Sequence, residues 1–218
     1  MFGRCFLFLF AIYGALFVLN TTAQAAYTCE EAAQETPMIT LRYKYGNLRF
    51  DSSKSTSQVS QICGDKAAGC FHHRFGAYTM QYNSKTVKAG SRMCAIPQLT
   101  LDFDFSGSEI FITKDYTACM ARAVLRHELQ HFTIWKTATE EMLKEMKVEL
   151  KNMAMRGVKT CKTGEYCYVN WNKEMFGKTD EIWKKWEQIS KMNNERLDEV
   201  DHNDSTEFTY KACEHNAF

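Results

Sequence analysis

An α+β fold follows from three observations. Before about residue 115, apolar residues alternate at period two; after it, they recur at the three- and four-residue steps of helices. Beyond an apolar N-terminal run, the cysteines are even in number, so the fold is expected to be stapled by disulfides.

The chain begins with a basic residue, Arg4, then the unbroken apolar run Cys5 to Leu19, then Ala23-Gln24-Ala25 with its small-x-small pattern. This is the layout of a cleaved signal peptide, residues 1–25, with Ala26 as the neighbouring alternative for the cleavage point. The run is short for a membrane span, and no later segment is apolar enough to be one. Residues 26–218 then form a single exported domain, secreted or periplasmic. Losing Arg4 from the 27 basic residues leaves them equal in number to the 26 acidic ones. A neutral chain has no general electrostatic attraction to nucleic acid or to an anionic membrane. Oligomeric state is not legible.

The nine cysteines become eight when Cys5 leaves with the signal: Cys29, Cys63, Cys70, Cys94, Cys119, Cys161, Cys167 and Cys213. None has Cys-x-x-Cys spacing, so disulfides are favoured over a zinc knuckle. Cys161 and Cys167, flanking the turn-like Lys162-Thr163-Gly164, are the local candidate pair.

Among the strands, Ile39, Leu41, Tyr43 and Tyr45 alternate with polar partners, Gly46-Asn47 mark a turn, and Leu48 and Phe50 resume the alternation. This predicts an antiparallel β-hairpin. A second hairpin is predicted from Leu99, Leu101, Phe103 and Phe105, the turn Ser106-Gly107-Ser108, and Ile110 and Ile112. A third is predicted over residues 77–87, around Asn83-Ser84. The aromatics of these stretches are expected in a sheet core.

Asp115 or Thr117 can cap the first long helix, whose apolar face is Val124, Leu125, Leu129 and Phe132, continued by Met142, Met146, Leu150 and Met153. Gly157 is its expected stop, and a bend near Thr137-Ala138-Thr139 would divide it in two. A cysteine-bearing loop covers residues 160–168. A last helix is expected from about Asp180 to His202, with Ile182, Trp186 and Ile189 inward.

Within the first helix, His127 and His131 are four residues apart and Glu128 follows the first histidine. Positions i and i+4 share a helical face, so two imidazoles can address one ion while Glu128 lies one residue round. This is the HExxH pattern: two zinc ligands and a general base that takes the proton of an activated water. The metzincin extension is absent, with Ile134 and Thr137 at its glycine and third-histidine positions. The third ligand must come from elsewhere, and Asn193 to Asp204 (NNERLDEVDHND) offers Glu195, with Glu199 one turn later, or His202. Glu195, Glu199 and His202 fall on a common face, so periodicity does not separate them.

Arg126-His127-Glu128-x-x-His131-Phe132, the Met- and Lys-rich helix, the cysteine loop and the late Asp-x-x-polar-His segment together resemble the zincin-type metalloproteases. They are similar in particular to a family of secreted bacterial zinc-dependent proteases of unknown substrate, over about residues 95–205. The resemblance implies Zn²⁺ as cofactor, a peptide or protein substrate, Glu128 as catalytic base, and His127, His131 and His202 as ligands, with Glu195 the alternative to His202. That family's tail resembles Asp-x-x-Thr-x-His, whereas Asp198 to His202 is one residue shorter and lacks the threonine. By analogy with zincins, Phe111 to Thr113 is the expected edge strand beside a substrate. The competing expectations are a disulfide-rich exported binding protein with a structural or vestigial zinc site, and a zinc hydrolase acting on a non-peptide amide. His72-His73 is expected as loop surface, since neighbours on a strand point to opposite faces. His215 beside Cys213 and the sequon Asn203-Asp204-Ser205 carry no assigned role.

Overall fold

The computed structural model describes residues 28–64, 67, 69–73, 78–204 and 213, and of residues 201–204 the backbone only. The expected signal peptide, His215 and the end of the sequon lie outside these residues. The elements run α1 (Cys29–Glu35), β1 (Ile39–Tyr45), β2 (Arg49–Asp51), α2 (Thr56–Cys63), β3 (Gly69–His72), β4 (Tyr78–Ala89), β5 (Arg92–Phe105), β6 (Glu109–Ile112), α3 (Ala118–Arg156), β7 (Lys159–Lys162) and α4 (Asn172–Asp204). The α+β order is the one predicted, with strands before the two long helices. None of the described helices is long and apolar enough to cross a membrane.

The strand pairing departs from the predicted hairpins. β1 runs parallel to β5 and β2 runs parallel to β6, in two different sheets. Ile39 faces Leu99 and Arg49 faces Glu109, so both ladders keep the same offset of 60 residues. The two apparent hairpins are therefore two bent strands lying side by side. Gly107 takes φ +98° at one bend, and at the other a Cβ on Gly46 would come within 3.0 Å of Ser106. Ion pairs Arg42–Asp102 and Arg49–Glu109 tie the strands on either side of the bend. The one antiparallel hairpin among the described strands is β4–β5, turning at Gly90-Ser91. Asn83 and Ser84 lie inside β4, facing Gln98 and Pro97. Pro97 sits where β5 passes from β7 to β1, so its missing N–H costs neither ladder a bond.

The core forms where β5 faces the long helices. Leu99, Leu101, Phe103 and Phe105 alternate inward against Trp135, Met142, Met146 and Leu150 of α3 and Met175 and Ile182 of α4. Each such side chain contributes roughly 1.5–3 kcal/mol by leaving water. A second cluster, Ile110, Ile112 and Val124, joins the first turns of α3 to the smaller sheet, β2-β6-β3. α3 thus spans both sheets.

α3 is one helix. Thr117 caps it by accepting from the Met120 N–H, and Gly157 ends it as predicted. Asp115 instead accepts from the N–H and hydroxyl of Thr56, which pins the start of α2. Of the two alternatives the unbroken helix is the one formed: it runs through Thr137-Ala138-Thr139, and the buried Thr139 hydroxyl donates to the Trp135 carbonyl at 2.9 Å. α4 packs antiparallel to α3, and Glu145 accepts from Lys185 and from the Trp186 indole at 2.7 Å.

All eight cysteines downstream of residue 25 are paired: Cys29–Cys94, Cys63–Cys70, Cys119–Cys213 and the predicted Cys161–Cys167. Such a set belongs to an oxidising environment.

Candidate metal centre

His127, Glu128 and His131 lie on α3 near the seam between the two sheets. Val124, one turn earlier, is buried in the smaller sheet's cluster, and Trp135, one turn later, is buried in the main core. These anchors fix the rotation of the helix, and so the direction of the three polar side chains between them.

The two imidazoles meet. Nε2 of His131 is 2.9 Å from Nε2 of His127. The third group is a carboxylate from α4: Asp198 Oδ1 lies 3.0 Å from His131 Nε2 and 3.3 Å from His127 Nε2. Three donor atoms held by one tetrahedral zinc at about 2.0–2.1 Å would be roughly 3.3 Å apart, so the triangle is the right size for an ion. Its protonation argues the same way. Nδ1 of His131 is 2.7 Å from Asn194 Oδ1, an acceptor, so of the two neutral tautomers the one with its proton on Nδ1 and its lone pair on Nε2 is favoured. That lone pair faces another ring nitrogen and a carboxylate oxygen. A proton on His127 can bridge only one such contact well, whereas a cation satisfies all three. The donor set of two imidazoles and a carboxylate suits zinc and also other first-row divalent ions.

Among the described residues the third group is Asp198, where the sequence suggested His202 or Glu195. Glu195 is not brought to the site. It is exposed and pairs with Lys191 at 3.8 Å, because it lies about 100° round the helix from Asn194. His202 is one turn beyond Asp198 on the same α4 helix, and its side chain lies outside the described residues. Neither Asp198 nor Asn194 was assigned to the site from the sequence. The available signal was the four-residue spacing of Ser190, Asn194 and Asp198, but in a helix this rich in charge many such stripes exist.

Glu128 is 5 % exposed and does not belong to the triangle. Its Oε2 accepts from the Phe71 N–H of β3 at 2.6 Å. Burial pushes this carboxyl up, against the opposing pull of His131, His127 and the Phe71 N–H. β3 can approach this closely because residue 69 is glycine: a Cβ there would lie 2.4 Å from Val124 Cγ1 and 2.9 Å from the Phe111 carbonyl. The Cys63–Cys70 disulfide pins the same strand to α2. The strand beside Glu128 is therefore β3. The expected edge, Phe111 to Thr113, is not one: β6 is paired on both sides, with Ile110, Phe111 and Ile112 all buried.

His73 also departs from expectation. His72 is exposed, but the His73 ring packs 5.2 Å from Phe71 and 5.6 Å from Trp135. Burial, with His72 alongside, pushes its imidazole from 6.5 down to about 4. The unfolded chain then binds the extra proton between those values, so this contribution is complete above pH 6.5 and is lost as pH falls toward 4. Allowing for a partly exposed ring, the loss is about 2 kcal/mol. Urea midpoints at pH 7 and pH 4.5 should fall less for His73→Phe than for wild type; parallel falls would rule the effect out.

No family model, curated protein or solved structure matches the chain.

Proposed function

We propose that the protein is an exported zinc-dependent metallopeptidase. The observation that carries this is the convergence of His127, His131 and Asp198 from two helices, with the separate buried carboxylate of Glu128 one residue from the first ligand. His127, His131 and Asp198 would hold the ion. When bound, zinc supplies Lewis acidity that brings the pKa of water toward neutrality and polarises a carbonyl.

The chain's own groups supply the rest. Glu128 takes a proton and later returns it to the leaving amine, as general base and then general acid. Its raised affinity for protons, a product of burial, suits both roles. The Phe71 N–H holds one carboxylate oxygen, which keeps Glu128 on the β3 side of the helix. A peptide substrate in extended form is expected along β3.

A structural metal site is the second reading, favoured by one feature: the ligands come from α3 and α4, so an ion would clamp the two helices together.

Both readings require metal, and this is the first test. Protein lacking residues 1–25, folded oxidatively, should retain about one zinc per chain by elemental analysis, and His131→Ala should retain almost none. A folded wild-type sample that takes up no zinc from added salt would overturn the metal-centre assignment.

A further inference from the structure

Beyond the ligands themselves, one imidazole is gripped from both of its nitrogens by the same helix. Asp198 of α4 faces Nε2 of His131 at 3.0 Å, and Asn194, one turn earlier on α4, faces Nδ1 at 2.7 Å. Asn194 is itself oriented. Its Nδ2 donates to the Ser190 carbonyl at 2.8 Å and lies 3.5 Å from the Ser190 hydroxyl, and Ser190 is 2 % exposed. With its amide nitrogen committed to that carbonyl, Asn194 has only its oxygen to offer His131. An oxygen can accept from Nδ1–H and cannot donate to it.

We infer that Asn194 is a positioning residue for the metal centre: it fixes the Nδ1–H tautomer and the ring plane of His131, and thereby sets the site's affinity for a divalent ion. This rests on the metal-centre assignment proposed above. The physical reason is that a free imidazole divides its proton between both nitrogens and rotates about its bond to Cβ. A site that binds through Nε2 must hold the other tautomer off and the ring in place. An acceptor at Nδ1 does both before the ion arrives and also makes Nε2 a better donor. The Ser190 carbonyl keeps the amide from flipping, because the flipped amide would set two carbonyl oxygens against each other.

Three variants test this: Asn194→Ala, Asn194→Asp and Ser190→Ala. Zinc affinity is measured by competition with a chromophoric chelator at pH 7.5, with circular dichroism for the fold. Asn194→Ala should bind zinc 10–100-fold more weakly than wild type while keeping its helical signal. Asn194→Asp keeps an acceptor oxygen at Nδ1 but sets its second oxygen against the Ser190 carbonyl, so it should recover only part of the affinity lost in Asn194→Ala, a recovery that mere helix packing would not predict. Ser190→Ala keeps the backbone carbonyl and should change affinity by less than about threefold. Nitrogen-15 shifts of the His131 ring in metal-free protein should report the Nδ1–H tautomer in wild type and a tautomer mixture in Asn194→Ala.

Zinc affinity of Asn194→Ala within twofold of wild type, or equal losses in Asn194→Ala and Asn194→Asp, would overturn the inference while leaving the metal centre intact. Wild-type protein that binds no zinc would overturn both.

Discussion

Replacing Glu128 by glutamine should abolish nearly all hydrolysis while leaving the metal in place. Glu128 lies outside the triangle of His127, His131 and Asp198, so its loss removes no ligand. Glutamine keeps a carbonyl oxygen to accept from the Phe71 N–H, so the buried contact between α3 and β3 survives. What disappears is a carboxylate able to take and return a proton. General acid–base groups contribute on the order of 10²–10⁴ in rate, and a loss of that size is expected in cleavage of a reduced, alkylated protein substrate. His127→Ala should differ by losing the metal as well. Should wild type and Glu128→Gln cleave such a substrate equally well, Glu128 is not the base. If both hold zinc and neither cleaves any member of a broad peptide library, the helix-clamping role of the ion takes precedence.

A large effect on stability is expected from the Cys29–Cys94 bridge, the longest-range disulfide whose two cysteines are both buried. It joins α1 to the start of β5 across a sequence separation of 65, and both cysteines are buried, at 4 % and 0 %. Closing a loop of that length should stabilise by roughly 4 kcal/mol through the unfolded chain's entropy, against about 2 kcal/mol for the six-residue separation of Cys161–Cys167. The paired change Cys29→Ser and Cys94→Ser should therefore lower the midpoint of thermal unfolding by roughly 10 °C, about twice the effect of the corresponding change at Cys161 and Cys167. Equal shifts would mean that loop length does not govern the contribution of these bridges, and that native packing around each pair does.

The local half of the candidate site was legible in the sequence, and its completion was not. His127, Glu128 and His131 could be placed together because helical periodicity is a local property: four residues make a turn whatever surrounds them. The same locality made Thr117, Gly157 and the Cys161–Cys167 pair readable. Asp198 lies on another helix, and which face of α4 meets α3 depends on how Met175 and Ile182 fill the core and where Glu145 meets Lys185 and Trp186. Glu195, Asp198 and Glu199 are equivalent as charges in the sequence, and packing alone distinguishes them.

The strands divide in the same way. Alternation identified where β1, β2, β5 and β6 would lie, though not β3, because period two reflects only one buried face. It could not give their partners. A Gly-Asn or Ser-Gly-Ser step reads alike whether the chain reverses or merely bends and runs on. Parallel pairing at a constant offset of 60 residues is a non-local choice, made by the common core that β1 and β5 share with α3. The sequence by itself determined the α+β class, the helix that carries His127, Glu128 and His131, and the oxidised cysteines. Tertiary structure decided the parallel ladders, the β3 amide that holds Glu128, and the Asp198 carboxylate that meets the two histidines. Each of these joins residues far apart in the chain, so packing between elements, and not the pattern within any one of them, selects it.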